Sequence, residues 1–215
     1  SCTLNTKLSK LGGAENQWED KEKAASLAAS TKTVKVVKSE ETTSNTPPPN
    51  AFKTTTLQKA GINTLGVTGE EVMNLASTLF DHGYITYIRT DDETMSDEGY
   101  NLICAYVKDK RPDLNLFGTK RAPTGKKAAN AQEAHEAIRP TSFARLPESL
   151  SLDQDMARLY QLIWRRAVAS QMESARFERT TIDITSADEK TGLRAVGSVL
   201  MFDGFLTLYQ EGRDD

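Results

Sequence analysis

The chain has 215 residues, which is enough for one large domain or two small domains with hydrophobic cores. Hydrophobic residues make up 38% of it and charged residues 27%, and no run approaches the 18 apolar residues of a membrane span, so we expect no membrane segment. The net charge of −3 argues against a protein that coats nucleic acid through a basic surface.

The first 50 residues predict two strands around a helix. Residues 2–10 and 33–43 alternate polar and apolar side chains and are rich in Thr and Val, as half-buried strands are. Between them, residues 17–30 are charged and rich in alanine, which predicts a helix. Residues 46–50, Thr-Pro-Pro-Pro-Asn, then predict a stiff break in the chain.

From residue 53 onward the pattern predicts helices. Residues 69–81 carry apolar side chains at helical spacing, and Gly83 follows as a stop. Ser96 is a good N-cap for a second helix that runs through Val107, although Gly99 stands where a capping box would have Glu. Residues 155–171 repeat the helical pattern and predict a third helix.

Strand alternation returns at residues 177–185 and 193–202. Strands, a block of helices and strands again predict an α+β protein, in which a mainly helical domain is inserted into a mainly β domain. We place the β domain at residues 1–47 and 174–215 and the helical domain at residues 48–173.

Residues 83–91 contain the first candidate site, in a short β-favouring run that reads Gly-Tyr-Ile-Thr-Tyr-Ile-Arg-Thr-Asp. Side chains two residues apart on an extended chain point to the same side, so Tyr87 and Arg89 could bind one phosphate together. A tyrosine has a pKa of about 10 and is a poor nucleophile near neutral pH until a fixed positive charge stabilises its anion. The same spacing also suits ordinary packing of aromatic side chains, and spacing alone leaves both interpretations open.

The second candidate site is at residues 131–141, which read Ala-Gln-Glu-Ala-His-Glu-Ala-Ile-Arg-Pro-Thr. The spacing predicts a helical turn, ended by Pro140, with four hydrogen-bonding groups on one face: Gln132, His135, Glu136 and Arg139. The start of this run is similar to the zinc motif His-Glu-x-x-His, but residue 139 is Arg, so the second metal ligand is absent. The alternative interpretation is a solvated polar helix end.

Together, these two stretches resemble the type IA DNA topoisomerases, and the bacterial topoisomerase I branch in particular. Gly83–Asp91 matches the family signature Gly-x-Ile-Thr-Tyr-x-Arg-Thr-Asp-Ser, and Gln132–Pro140 matches the block Gln-x-Ala-His-Glu-Ala-Ile-Arg-Pro. Ala51–Gln58 and Leu159–Trp164 are similar to the segments by which the family's chain enters and leaves its nucleophile-bearing domain. Asp92 departs from the pattern, because the family usually has Ser there, and this puts the role of that hydroxyl in doubt.

The resemblance implies that Tyr87 cleaves one DNA strand through a 5′-phosphotyrosyl bond and that Arg89 neutralises the phosphate. It implies DNA contacts at Arg89, His135 and Arg139, and supporting roles for Asp91, Gln132 and Glu136. Passage of the other strand and religation, with the helical domain lifting on the β domain as a hinged gate, then relax negatively supercoiled DNA without ATP. The expected partners are therefore single-stranded and negatively supercoiled DNA.

The resemblance also implies a cofactor and a domain that this sequence does not supply. Family members use Mg²⁺ held by the carboxylates of an acidic domain, whereas no Asp-x-Asp-x-Glu cluster is present here and residues 91–93 predict a turn. We therefore expect no metal site in this chain, which looks like a piece of a longer bacterial enzyme and is inactive without its acidic domain. Cys2 and Cys104 lie far apart and indicate free thiols in a reducing cytosol, which predicts a cytoplasmic protein. The resemblance further implies that this protein is associated with the bacterial nucleoid.

Two alternatives remain open. In a non-catalytic module that binds single-stranded nucleic acid, Tyr87 stacks on a base instead of attacking a phosphate. Within the family, topoisomerase III and reverse gyrase are the other branches. Ile88 does not separate the branches, whereas Arg139 followed by Pro140 favours topoisomerase I.

Overall fold

The structure is a computed structural model that describes residues 6–11, 14–15, 22, 33–124, 136–187, 189 and 191–210. It divides into two compact units, residues 1–46 with 176–202 and residues 47–175 with 203–215. The first holds the strands and the second the four α-helices whose bounds are given below, which confirms the predicted mixture of helix and sheet. Residues 203–215 group with the helical unit, whereas the sequence analysis placed residues 174–215 in the β domain. The assignment of these units as two domains stays a prediction.

The strand unit is one five-stranded sheet with the order β2-β1-β5-β4-β3. The described strands are β1 Thr6–Leu11, β2 Ala14–Glu15, β3 Val34–Thr46, β4 Ala175–Ser186 and β5 Thr191–Phe202. β1 pairs antiparallel with β2 and β5, and β4 pairs antiparallel with β5. The four predicted strands are thereby confirmed, while the predicted helix at residues 17–30 lies outside the described residues except at Glu22.

The helical unit is built on four α-helices: α1 Thr54–Leu65, α2 Gly69–Asp81, α3 Asp97–Lys110 and α4 Gln154–Ala169. Short 3₁₀ turns at Pro147–Ser149 and Gly204–Thr207 accompany them. The three predicted helices are α2, α3 and α4. The bounds of α2 are those predicted, while the C-terminus of α3 and both ends of α4 differ by one to three residues, as is usual for the terminal turns of helices. The core packs α1, α2 and α4 together, with Leu159, Tyr160 and Ile163 of α4 fully buried.

Helix α2 has sequence signals at both ends, and its C-terminus sets where the first motif begins. The Thr68 hydroxyl accepts from the Glu71 amide while the Glu71 carboxylate accepts from the Thr68 amide, which is a capping box. Gly83 has a φ of +69°, and the Tyr84 amide donates back to the Leu79 carbonyl at 2.9 Å. This left-handed cap reverses the chain, so residues 84–91 leave the helix as an extended run.

No helix in the described part of the chain is long and apolar enough to cross a membrane.

Candidate active site

The first motif is extended but is not a regular strand. In residues 83–91 only Ile85 forms a β-bridge, and its partner is Pro140 of the second motif. Burial nevertheless alternates after it, since Ile88 and Thr90 are buried while Tyr87 and Arg89 are exposed. The side chains of Tyr87 and Arg89 are therefore both exposed to solvent, as the two-residue repeat of an extended chain predicts.

The second motif is also extended from residue 136 onward, and it runs antiparallel to the first. The Thr86 amide donates to the Arg139 carbonyl at 2.9 Å, and the Thr141 amide donates to the Tyr84 carbonyl at 3.0 Å. On its other side, the Ile138 amide donates to the Phe52 carbonyl at 2.8 Å. Three backbone stretches that are distant in sequence thus meet next to the chain that leads into Tyr87.

This pairing corrects the predicted helical turn. Glu136 and Arg139 lie on extended chain because the amides between them bond to other segments, for example the Ala137 amide to the Thr94 carbonyl at 2.9 Å. Tertiary pairing has overridden a local pattern, which is common for short polar segments. Gln132 and His135, the other two predicted members of the turn, lie outside the described residues.

Thr86, the residue before Tyr87, is bound to the second motif through its side chain as well as its backbone. Its hydroxyl donates to the Ala137 carbonyl at 3.0 Å and accepts from the Arg139 amide at 3.0 Å. Together with the backbone bond, this makes three hydrogen bonds between one threonine and the facing chain. The chain that leads into Tyr87 is consequently held from one side.

Arg139 is buried, with a side chain that is 3% exposed, and it forms an ion pair inside the unit. Its Nε and Nη2 donate to the two oxygens of Glu136 at 2.6 and 3.0 Å, and Nη1 donates to the Pro140 carbonyl at 3.0 Å. The Ser96 hydroxyl donates to the same carboxylate and accepts from Nη2 at 3.3 Å. Nη2 also lies 3.6 Å from a carboxylate oxygen of Glu98, so the guanidinium is shared between two carboxylates and neutral acceptors. It fixes the second motif to the start of α3.

Gly99 leaves the space that this guanidinium occupies. A Cβ built on Gly99 would lie 2.6 Å from Nε and 2.7 Å from Cδ of Arg139. The Gly99 amide meanwhile donates to the Ser96 hydroxyl at 3.1 Å as part of the N-terminal cap of α3. In the sequence, glycine at a capping-box position where Glu is usual is the feature that corresponds to this contact with Arg139.

The loop after Tyr87 is bound by Thr54, the first residue of α1. The Thr54 hydroxyl donates to the Ile88 carbonyl at 2.7 Å and accepts from the Thr90 amide at 2.9 Å. Sequence reasoning did not assign Thr54 to the site, because no local pattern relates residues 34 and 36 positions apart.

Asp92, where the resemblance would have Ser, braces the same loop. Its carboxylate accepts from the Thr94 amide at 2.7 Å, and its own amide donates to the Thr90 hydroxyl at 3.0 Å. A hydroxyl at this position can accept the same bond, since Asp and Ser both form such two-residue turns. Asp91, predicted as a supporting residue, is exposed.

Tyr87 differs from every other tyrosine in its accessibility. The chain has six tyrosines, all in the described residues, and Tyr87, at 46% exposure, is exposed whereas the other five are buried or half-buried. Its ring meets the edge of Phe80 with centroids 5.5 Å apart. By contrast Tyr160 is fully buried, its hydroxyl donates to the Arg145 carbonyl at 2.8 Å, and burial raises its pKa to about 12.

The described residues contain no cluster of three or more His, Cys, Asp or Glu side chains that could hold a metal ion. The carboxylate of Glu93, which follows the first motif, is engaged by other side chains. One of its oxygens accepts from the Asn50 amide group at 2.8 Å and the other lies 3.7 Å from the Lys53 ammonium.

Comparisons with known proteins agree on one family. The family model described as DNA topoisomerase matches residues 2–215. DNA topoisomerase 1 of Zymomonas mobilis is 45% identical over 183 residues, which are 85% of this chain and 15% of that protein. DNA topoisomerase 1 of Streptomyces coelicolor is 37% identical over 219 residues, covering 97% of this chain and 22% of that protein. This chain therefore spans about a fifth or less of these relatives' length.

A solved structure is similar over nearly the whole chain. Full-length topoisomerase I from Thermotoga maritima superposes with a TM-score of 0.76 at 25% sequence identity. The match covers 99% of this chain and 35% of that one.

We expect Gly99→Ala to destabilise the protein, although alanine favours a helix over glycine by about 1 kcal/mol. The new methyl group overlaps Arg139, which cannot move without losing Glu136, and such overpacking typically costs about 1–3 kcal/mol. Urea unfolding monitored by circular dichroism measures the net change.

The control is the same substitution in an Arg139→Ala background, which removes the overlap with the guanidinium and leaves the one with the flexible Met95 side chain, whose Sδ would lie 2.7 Å from the new Cβ. Gly99→Ala should therefore cost clearly less stability there. An equal loss of stability in both backgrounds would contradict the contact as its cause.

Proposed function

Because the chain belongs to the DNA topoisomerase family, in its bacterial type IA topoisomerase I branch, we propose that Tyr87 is the nucleophile that cleaves single-stranded DNA. The observation that carries this proposal is the exposure of Tyr87 on a backbone that is hydrogen-bonded on both sides. A nucleophile must reach its phosphate and must also be held in an orientation that favours attack.

The Tyr87 hydroxyl loses its proton and attacks a backbone phosphorus atom. A new bond forms between the phenolic oxygen and phosphorus, the bond from phosphorus to the 3′ oxygen breaks, and that oxygen takes up a proton. The products are a 5′-phosphotyrosyl ester and a free 3′-hydroxyl. One phosphodiester has replaced another, so the hydroxyl can attack back and reseal the strand without ATP.

Arg89 is the group that stabilises the charge on the attacked phosphate. Its side chain is exposed and makes no hydrogen bond or ion pair with the residues that the structure describes, so its donors are available to phosphate oxygens. A guanidinium can bind two of these oxygens at once. A preorganised donor of this kind typically contributes about 10²-fold or more to the rate.

The remaining predicted site residues divide into two roles. Arg139 is buried against Glu136, so we assign both to supporting the second motif and withdraw Arg139 from direct contact with DNA. Asp91 and Gln132 keep supporting roles. His135 is proposed to bind a DNA phosphate near Tyr87 on the strength of the resemblance.

We propose that the helical unit is a gate inserted into the β unit. In support, the chain leaves the strand unit after residue 46 and returns to it at residue 176. The gate, which carries the broken 5′ end on Tyr87, lifts away from the free 3′ end and lets the second strand pass. Repeated cycles relax negatively supercoiled DNA in the bacterial cytoplasm.

Mg²⁺ is proposed to act from another part of the longer protein. The described residues do not supply a set of ligands for it, so none of the steps above uses the metal. An acidic domain of the same protein is the partner that this proposal requires.

A second candidate function is a binding module in which Tyr87 stacks on a base. The exposed edge-to-face pair of Tyr87 and Phe80 favours it, since such rings can stack on any base. The Tyr87 hydroxyl separates the two functions, because stacking does not need it and attack on phosphorus does.

We predict that Tyr87→Phe in the intact enzyme abolishes the covalent DNA adduct and changes the affinity for single-stranded DNA by less than about threefold. The phenyl ring keeps the stacking surface but has no oxygen to form the ester. A labelled oligonucleotide on a denaturing gel measures the adduct, and fluorescence anisotropy measures the affinity.

Tyr84→Phe is the matched control, because Tyr84 lies three residues away and is half-buried against Tyr160. It should retain the adduct. Adduct at the wild-type level in Tyr87→Phe would favour the binding module.

We also predict that the purified 215-residue chain neither relaxes supercoiled plasmid nor cleaves oligonucleotides, with or without Mg²⁺. The reason is that the described residues provide no carboxylate cluster to organise a metal near Tyr87. Agarose gel electrophoresis, with the intact enzyme as positive control, measures relaxation. Mg²⁺-dependent relaxation by this chain alone would contradict the need for a further domain.

A further inference from the structure

We propose that Thr54 is a positioning residue for DNA cleavage, which acts by fixing the backbone on both sides of Arg89. This inference rests on the proposed function of Tyr87 and Arg89 and deepens it. Thr54 touches neither DNA nor the reacting atoms in this proposal, since its hydroxyl is directed at the peptide groups of residues 88 and 90.

Thr54 binds the loop through four hydrogen-bonding contacts. Its hydroxyl donates to the Ile88 carbonyl at 2.7 Å, with the Thr90 carbonyl at 3.0 Å as the weaker alternative acceptor. The same hydroxyl oxygen accepts from the Thr90 amide at 2.9 Å. The Thr54 amide donates to the Thr90 carbonyl at 3.0 Å, so the backbone of residue 90 is bound in both directions.

These contacts surround Arg89. Ile88 and Thr90 are buried, and Arg89 between them is exposed. The backbone can redirect the arginine only by turning one of the two neighbouring peptide groups, and either turn breaks a bond to Thr54. The Thr54 hydroxyl thereby sets the direction in which the Arg89 side chain points from the backbone.

Thr54 is itself held firmly enough to do this. It is the first residue of α1, and Leu57 in the same turn is fully buried in the core of the unit. Its branched Cβ restricts the side chain to few rotamers. Thr54 therefore fixes the loop to a helix that is packed into the core.

Thr54 and Thr86 bind the chain on opposite sides of Tyr87. Thr86 joins the preceding residue to the second motif, and Thr54 joins the following residues to α1. Tyr87 and Arg89 thus lie on one segment whose backbone is hydrogen-bonded to Thr86's partners before Tyr87 and to Thr54 after it. A displacement of about 1 Å of a reacting group can cost about 10²-fold in rate.

The test uses Thr54→Val in the intact enzyme, because valine keeps the branched shape and removes the hydroxyl. We expect the single-turnover rate of oligonucleotide cleavage to fall by about tenfold or more, as it would for Arg89→Ala, with DNA affinity changed by less than about threefold. Thr54→Ser keeps the hydroxyl and should restore most of the rate. Thr55→Val is the matched control, since Thr55 is the next residue on α1 and is exposed.

Rates are expressed per active enzyme, with the amplitude of adduct formation as the count of active sites, so that a folding defect lowers the amplitude and not the rate. A slow Thr54→Val with normal Thr54→Ser and Thr55→Val supports the proposal. A Thr54→Val that cleaves as fast as Thr55→Val, or a Thr54→Ser that is as slow as Thr54→Val, overturns it. If the wild-type enzyme forms no adduct through Tyr87, the proposed function fails instead, and the two failures are distinguishable.

Discussion

The antiparallel pairing of residues 84–86 with residues 137–141 is the constraint on which the site depends. It joins two segments about 50 positions apart, through backbone bonds at Tyr84 and Thr86 and through the Thr86 hydroxyl. Neither segment forms a helix or a regular strand, so neither has enough local hydrogen bonding to hold its own conformation. Each supplies the missing partners of the other, and the exposed Tyr87 follows directly from the end of this pairing. The residue that we propose as the nucleophile therefore lies on an irregular segment whose geometry is set by long-range hydrogen bonds.

The ion pair between the buried Arg139 and Glu136 shows which partners a charged side chain needs inside a small unit. Burying a cation is costly unless its donors are satisfied, and the Arg139 guanidinium has acceptors on Glu136, Pro140 and Ser96. Gly99 provides the space and the cap of α3 provides the hydroxyl. Removing Glu136 would leave the Arg139 guanidinium, which is 3% exposed, without its nearest carboxylate, which is why we treat the pair as a single supporting element of the site. Such a network contributes specificity of arrangement more than net stability.

The sequence predicted well where the signal is local. The helical spacing of apolar residues and the stop at Gly83 placed α2 correctly, and the period of two agrees with the exposure of both Tyr87 and Arg89. The prediction of a helical turn at Glu136 and Arg139 was wrong. Two side chains three residues apart can also form an ion pair on an extended chain, and here the backbone amides between them donate to other segments. The sequence could not reveal Thr54, because the two helices α1 and α2 separate this residue in sequence from its partners Ile88 and Thr90. The resemblance identified the family from two motifs, while the contacts that join those motifs needed the fold.

The most direct test of the account is to locate the DNA bond on the protein. The intact enzyme is reacted with an oligonucleotide, denatured to trap the adduct and digested, and the modified residue is found by tandem mass spectrometry. The account predicts a nucleotide phosphate on Tyr87, attached through the 5′ end of the broken strand. Tyr84 lies in the same region of the chain but is half-buried beside Tyr160, and it should be unmodified. Modification of Tyr84 or of any other residue in place of Tyr87, or attachment through the 3′ end, would contradict the central claim.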